Sequence, residues 1–100
     1  MEFEEIEGLV DKWAVSRGIH SPFSKAAQIA KLTEEFAELQ LAMLNDDEKE
    51  IYDALGDMLV VMTNIATNYR ESLVECYEQA YNQIKDRKGK MVNGTFVKES

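Results

Sequence analysis

The sequence predicts a single all-α domain over residues 1–100, a four-helix bundle followed by a short C-terminal β-hairpin. Apolar residues recur every three or four positions along most of the chain, which is the period of an amphipathic helix. Helix-capping signals divide this pattern into four stretches. The pair Asn93-Gly94 lies between two short apolar runs and predicts a hairpin over about 90–97. A chain of this length buries a modest core, so we expect a homodimer or homotetramer.

The first two helices are predicted over about 3–17 and 22–44. Gly18 is suited to a left-handed end of the first helix. Ser21 can cap the second helix, with Pro22 at its first position. Both helices carry apolar stripes at helical spacing. The stripe of the first consists of Phe3, Ile6, Val10 and Trp13, and one stripe of the second consists of Ile29, Leu32, Phe36, Leu39 and Met43.

Two capping boxes open the remaining helices, which are predicted over about 48–67 and 73–88. Each box pairs a small polar cap with a glutamate three residues later. They are Asp47 with Glu50 and Ser72 with Glu75. The residues after Asp57 in the third helix are almost wholly apolar, and Gly89 is expected to end the fourth helix.

The composition excludes several classes of function. The formal net charge is −8 and the sequence pI is about 4.6, which disfavours binding to a nucleic acid backbone and favours a divalent cation. The single cysteine, Cys76, fits a reducing compartment. The acidic N-terminus lacks the basic region of a signal peptide, and no apolar run is long enough to span a membrane. We therefore expect a soluble cytoplasmic protein that binds neither nucleic acid nor membrane.

Acidic residues cluster on two consecutive predicted helices. At about 100° per residue, the three glutamates of the second helix share one face, and the two aspartates of the third share a stripe with Asn64. These five carboxylates are Glu34, Glu35, Glu38, Asp53 and Asp57. Because like charges at this spacing repel, two facing helices of this kind predict a bound cation.

A solvated helix face is the alternative interpretation of the glutamates, since Glu is a strong helix former. That interpretation does not explain Asp57, which lies in an apolar run where an unpaired charge is costly. Carboxylate oxygens without nearby imidazole or thiolate favour Mg²⁺, with Mn²⁺ as a substitute. A di-iron bundle requires Glu-x-x-His pairs, whereas the one histidine, His20, is predicted in a loop.

The acidic pattern resembles the all-α nucleoside triphosphate pyrophosphohydrolases of the MazG type, which carry E-E-x-x-E on one helix and E-x-x-D on the next. Glu34, Glu35 and Glu38 match the first motif and Asp57 the last position of the second, while Asn64 matches an Asn often found two turns on. Ala54 departs from the motif, because the family usually has a glutamate there. Asp53, one residue earlier, is the candidate to substitute for it.

The resemblance implies Mg²⁺-dependent hydrolysis of a nucleoside triphosphate, expected to be a deoxynucleotide, to the monophosphate and pyrophosphate. The three glutamates would be catalytic and would bind metal together with the two aspartates. Asn64 would bind substrate. The family also carries an Asn followed by basic residues near the end of the fourth helix, and the matching residues that would bind substrate here are Asn82, Lys85 and Arg87.

Several alternatives stay open. The three residues from Asn82 to Arg87 could instead complement a helix C-terminus, and Trp13 is a core residue or stacks on a base. Lys31 is expected to form a salt bridge with Glu34 or Glu35. A non-enzymatic helical interaction module and a narrow dUTPase or dCTPase are the alternative functions.

Overall fold

The computed structural model of the chain describes residues 1–19 and 24–99. It confirms a mostly helical fold with a short antiparallel hairpin. The elements are α1 (Phe3–Ser16), α2 (Ser24–Leu44), α3 (Glu48–Asn68), α4 (Leu73–Ile84), β1 (Gly89–Val92) and β2 (Thr95–Lys98). The predicted cap of the second helix at Ser21 and Pro22, together with His20, lies outside the described residues.

Three helices end on a residue with a left-handed backbone conformation. Gly18 ends α1 as predicted, with a φ of 73°. The N–H of Ile19 bonds to the Ala14 carbonyl and that of Gly18 to the Val15 carbonyl, which is a Schellman motif. α2 and α3 end in the same way around Asp46 and Arg70, with φ of 52° and 61°.

In both predicted capping boxes, the side chain of the cap residue makes the expected hydrogen bond. The Asp47 carboxylate accepts a hydrogen bond from the Glu50 N–H, and the Ser72 hydroxyl accepts one from the Glu75 N–H, each at 3.3 Å. They fix the starts of α3 and α4 at the expected positions.

α4 is shorter than predicted, because it ends at Ile84 rather than near residue 88. Gly89 does not terminate this helix but opens β1, where a Cβ atom would collide with the Val97 carbonyl. Residues 85–88 therefore connect α4 to the hairpin. Asn93 and Gly94 have φ of 51° and 81° and form the predicted tight turn.

α2 and α3 form the largest helix pair. The Ser24 hydroxyl donates to Asn68 Oδ1 at 3.2 Å, and Asn64 Nδ2 donates to Gln28 Oε1 at 3.3 Å. A step of four residues forward on α2 is thus matched by four residues backward on α3, so the two helices run antiparallel. No helix among the described residues is long and apolar enough to cross a bilayer.

The apolar core of the described residues is small. Its buried members are Ala14, Ala42, Ala54, Val61 and Val74. The larger apolar side chains remain partly or mostly exposed, including those of the hairpin, which no described helix contacts closely. Among the described residues, many large apolar side chains therefore have no partner within one copy of the chain.

Polar contacts hold α1 against the other helices. The Thr67 hydroxyl donates to Asp11 Oδ1 at 2.7 Å. The Glu7 carboxylate accepts from the Ser72 hydroxyl at 2.8 Å and from the Val74 N–H at 3.0 Å. Glu7 thus supplies an anion to the N-terminus of α4, where the helix dipole favours negative charge.

Replacing Glu7 with alanine should lower the free energy of unfolding by about 1–2 kcal/mol, because a partly buried cap and its dipole interaction are lost. Urea unfolding monitored by circular dichroism measures the change. Lys12→Ala, an exposed substitution in the interior of the same helix, is the control and should cost no more than a few tenths of a kcal/mol. Equal losses in the two variants would contradict the capping role.

Candidate functional site

An open cleft of about 850 Å³ lies between α1 and α2, with α3 as its floor. α1 lines it with apolar side chains, namely Ile6, Leu9, Val10 and Trp13. α2 lines it with Ala27, Gln28, Lys31 and Glu35, and α3 with Asp57, Val60, Val61 and Asn64. The α1 wall of the cleft is therefore apolar, whereas the polar and charged side chains of the cleft come from α2 and α3, next to Ala27, Val60 and Val61.

The helical period explains which side chains of α3 reach the cleft. Asp57 and Asn64 are seven residues apart, which returns them to one side of a helix. Ala54 and Val61 lie on the neighbouring side and are buried. The side of α3 that carries Asp57 and Asn64 thus faces the gap between its two neighbours, α1 and α2.

Glu35 is the buried carboxylate of the site, with only 5 % of its surface exposed. Its Oε1 lies 3.4 Å from Lys31 Nζ, while its Oε2 has no donor among the described residues. Lys31 also pairs with Glu34 at 3.5 Å, so the predicted salt bridge of Lys31 is confirmed with both glutamates. A buried carboxylate oxygen without a partner is costly, and its presence distinguishes Glu35 from a surface glutamate.

The antiparallel pairing of α2 and α3 places the remaining acidic residues. Extending it from the Gln28–Asn64 bond along both helices brings Glu35 level with Asp57 and Glu38 level with Ala54. Asp57 is exposed and lines the cleft together with Glu35. Two of the predicted metal ligands therefore share the cleft, and the position that departs from the motif faces the helix that carries Glu38.

Glu38 lies one turn beyond Glu35 and is exposed. The pKa of Glu38 is raised, first because its protonated carboxyl can donate a hydrogen bond to the Glu35 carboxylate and then because the two charges repel. The pKa of Lys31 is also raised, mainly through its hydrogen bond to Glu35. Glu35 is thus the centre of the charged network at this end of the cleft.

Replacing Glu38 with glutamine should raise the melting temperature at pH 7 in metal-free buffer, because the repulsion with Glu35 disappears. A carboxyl whose pKa is raised in the folded state stabilises that state below its ordinary pKa of 4.5, and this stability is lost as the pH rises through the folded-state pKa. The parent and variant should therefore converge near pH 4. Melting curves from pH 4 to 8 measure the difference, and a constant offset across this range would contradict the assignment.

The other predicted site residues lie outside the cleft. Glu34, Glu38 and Asp53 are exposed and do not line it, and Glu38 instead lines a separate, smaller cavity with Asp47 and Glu50. Asn82 is exposed near the end of α4, and Lys85 and Arg87 follow that helix. The structure of one chain does not bring these three residues to the acidic end of the cleft.

Trp13 is not a core residue, since 46 % of its surface is exposed. It lines the cleft, and the Arg17 guanidinium lies 5.9 Å from the centre of its ring. The indole is therefore available to a flat ligand.

The donor set at the acidic end suits a hard divalent cation. Carboxylate oxygens are the preferred ligands of Mg²⁺, and Glu35 Oε2 is buried without a donor among the described residues. Asn64 Oδ1 is also buried without a donor, but Asn64 lies two helical turns from Asp57 along α3. Across residues 1–19 and 24–99, however, no three carboxylate, imidazole or thiolate groups are arranged closely enough to hold a metal ion. The residue types are those that a hard cation prefers, and the structure brings two of the predicted ligands, Glu35 and Asp57, to one cleft.

Gln28 is a site residue that the sequence analysis missed. It precedes Lys31 by three residues and Glu35 by seven, so the helical period alone places all three on one face. Ile19, which follows α1 and lines the same cleft, carries no signal of this kind.

Comparisons of the chain with protein-family models, with curated proteins and with solved structures find no match. The cleft and its residues are therefore the basis on which a function is proposed.

Proposed function

We propose that the protein hydrolyses a nucleoside triphosphate to the monophosphate and pyrophosphate with the help of Mg²⁺. The observation that carries the proposal is the buried Glu35 carboxylate, which has an oxygen without a partner among the described residues and belongs to a side chain that lines the cleft together with Asp57. The resemblance of the acidic motif to the MazG-type enzymes supports it. We also propose the bundle architecture of those enzymes for the four helices and a cytoplasmic location, which the exposed free thiol of Cys76 supports.

Glu35 and Asp57 would hold the cation, with Glu38 beside Glu35. Glu34 and Asp53 are farther from the cleft and would act through the charge network or through water. When bound, Mg²⁺ (or Mn²⁺ in its place) supplies positive charge to the phosphates and makes the attacking water more acidic. The acidic side chains alone would repel a triphosphate, so the reaction should depend on the cation.

The chemical step is the attack of water on the α-phosphorus. A new P–O bond forms, the bond to the bridging oxygen breaks, and pyrophosphate leaves with its electron pair. A carboxylate must accept the proton of the water. Glu38, one turn from Glu35 on α2, is the candidate among the glutamates that do not hold the cation.

Assembly into a homodimer or homotetramer forms part of the proposal. The small core and the exposed apolar side chains of α2 and the hairpin support it, among them Phe36, Leu41, Met43, Leu44 and Phe96. A second copy could also bring Asn82, Lys85 and Arg87 to the phosphates, which one chain does not do. Sedimentation velocity measures the assembly state.

The direct test is incubation of the protein with each common ribonucleotide and deoxyribonucleotide triphosphate and Mg²⁺, with pyrophosphate as the readout. We expect release of pyrophosphate from at least one deoxynucleotide and its loss on addition of EDTA. A narrow dUTPase or dCTPase would act on a single member of the panel.

The second candidate is a non-enzymatic helical interaction module. The observation that favours it is the alanine at position 54, which leaves the acidic set one carboxylate short of the family motif, together with the exposed apolar surface. Absence of pyrophosphate release from the whole panel, with a melting temperature that neither Mg²⁺ nor nucleotide changes, would support this module instead.

A further inference from the structure

The C-terminal arm, which we define as residues 85–99, has no packing partner within one copy of the chain. It consists of the connector after α4 and the hairpin of β1 and β2, and no described helix comes close to either strand. An isolated two-stranded hairpin is only marginally stable in water. Its four large apolar side chains are nevertheless all exposed, namely Met91, Val92, Phe96 and Val97. The arm therefore requires a surface that one copy does not supply.

One copy of the chain also exposes more surface than a compact monomer of its mass. Its solvent-accessible surface is 7945 Å², whereas a folded monomer of 11.4 kDa exposes roughly 5,800 Å². The Cα radius of gyration is 16.0 Å, against about 13 Å for a compact domain of this length. The excess of about 2,000 Å² is within the range that each partner buries in a permanent homodimer. A second copy of the chain matches this area.

The charge of the arm is opposite to that of the helices. Residues 85–99 hold five of the 11 basic residues of the chain but only two of its 19 acidic ones. Their formal net charge is therefore +3, whereas that of residues 1–84 is −11. Complementary charge of this kind guides two surfaces to each other and disfavours other partners.

Two other occupants of the arm are disfavoured by charge. Pairing with a second arm would bring the lysines of two hairpins together, and like charges on neighbouring strands destabilise a sheet. A nucleic acid would meet the basic arm but would be repelled by the acidic helices. The helices of a second copy are the surface that the charge of the arm selects.

The α2–α3 corner, which we define as residues 38–53, is both acidic and apolar. It carries six carboxylates and a single basic residue, Lys49. Another acidic stretch, at the start of α1, is already used within one copy, since Phe3 packs against Tyr77 and Glu7 caps α4. The large apolar side chains of the corner are exposed, namely Leu41, Met43, Leu44 and Tyr52. The corner therefore offers both the charge and the apolar area that the arm requires.

A small cavity in this corner suits a lysine side chain. It has a volume of about 180 Å³ and is lined by three acidic residues, Glu38, Asp47 and Glu50, next to Leu41 and Ala42. The methylene groups of a lysine pack on apolar atoms, while its ammonium group reaches nearby carboxylates.

We propose that the C-terminal arm of one copy docks on the α2–α3 corner of a second copy, in a reciprocal exchange around a two-fold axis. The inference rests on the assembly that the proposed function includes, and it goes further by naming the two surfaces. A two-fold exchange uses the same pair of surfaces twice. Lys90 shares one face of the hairpin with Val92 and Val97, because side chains alternate along a strand, and it lies against the Glu50 carboxylate of the second copy.

The test is sedimentation velocity of the full chain from low to high micromolar concentration. We expect the parent to form a dimer or a larger assembly. Lys90→Glu should weaken the assembly about tenfold or more, because it brings like charges together in both contacts of the exchange. Lys12→Glu changes the net charge by the same amount on an exposed side of α1 and should assemble like the parent. Equal weakening in the two variants would overturn the inference.

Reversing the charges of both surfaces identifies the corner as the docking site. Glu50→Lys alone should also weaken the assembly about tenfold. The double variant, Lys90→Glu with Glu50→Lys, restores opposite charges and should assemble more tightly than either single variant. Both side chains are exposed in one copy, so circular dichroism should show an unchanged helix content. A double variant that assembles no better than the single ones would overturn the pairing of arm and corner.

The outcomes separate this inference from the proposed function. A parent that assembles while Lys90→Glu assembles equally well would overturn the inference and leave the proposed assembly in place. A parent that stays monomeric at every concentration would overturn both. Pyrophosphate release is measured separately, and an inactive chain whose assembly depends on Lys90 would remove the proposed hydrolysis and support the exchange.

Discussion

Replacing Glu35 with glutamine should lower the rate of pyrophosphate release by about 100-fold or more. Glutamine keeps the size of the side chain but removes the charge that would hold Mg²⁺ in the cleft. The fold should be retained, because Lys31 keeps its salt bridge with Glu34. Initial rates at increasing Mg²⁺, with circular dichroism as the check on folding, measure the effect.

Glu34→Gln provides a graded comparison on the same helix. Glu34 also pairs with Lys31, but 66 % of its side chain is exposed. The rate of pyrophosphate release should therefore fall much less in Glu34→Gln than in Glu35→Gln. Glu78→Gln, an exposed substitution on α4, should retain the parent rate. Parent-like turnover of Glu35→Gln at every Mg²⁺ concentration would remove Glu35 from the metal site and with it the main support for the activity.

The second large effect is expected at position 54. Ala54→Glu should lower the free energy of unfolding by about 3 kcal/mol or more without metal, because Ala54 is 3 % exposed and level with Glu38. Mg²⁺ should recover much of this loss, since a cation that binds only the folded state stabilises it by mass action. Thermal melting with and without millimolar Mg²⁺ measures both quantities.

Ala54→Gln is the matched control for this experiment. Glutamine has almost the same size as glutamate, so it creates the same crowding at position 54 without adding a charge. The Ala54→Gln variant should be destabilised, and Mg²⁺ should not restore its stability. An equal response of the two variants to Mg²⁺ would show that the cation does not bind next to position 54.

The local elements were predictable because their signals lie within a few neighbouring residues. Asn93-Gly94 and the caps Asp47 and Ser72 each act over a single turn, and the structure contains them at the expected places. The end of α4 was not predictable in this way. Gly89, expected to end the helix, instead pairs with Lys98 and approaches the opposite strand closely, a contact that no helical pattern records.

The candidate site was predictable from the sequence only in part. Helical spacing groups the carboxylates of each helix, but it does not say which of them face the neighbouring helix. Glu35 and Glu34 are equivalent by type, yet one is buried in the cleft and the other is exposed. The cleft also depends on α1 and on Ile19, whose positions follow from tertiary packing.

The scarcity of large buried side chains affects how one chain should respond to heat and denaturant. The heat-capacity change of unfolding grows with the apolar surface that becomes exposed, and it is about 1.2–1.5 kcal/mol/K for an average domain of 100 residues. A core made of alanines and valines exposes less than that average, so a single copy should give a smaller value and a shallower dependence on urea. A heat-capacity change and a urea dependence equal to those of an average domain would mean that unfolding also separates copies of the chain.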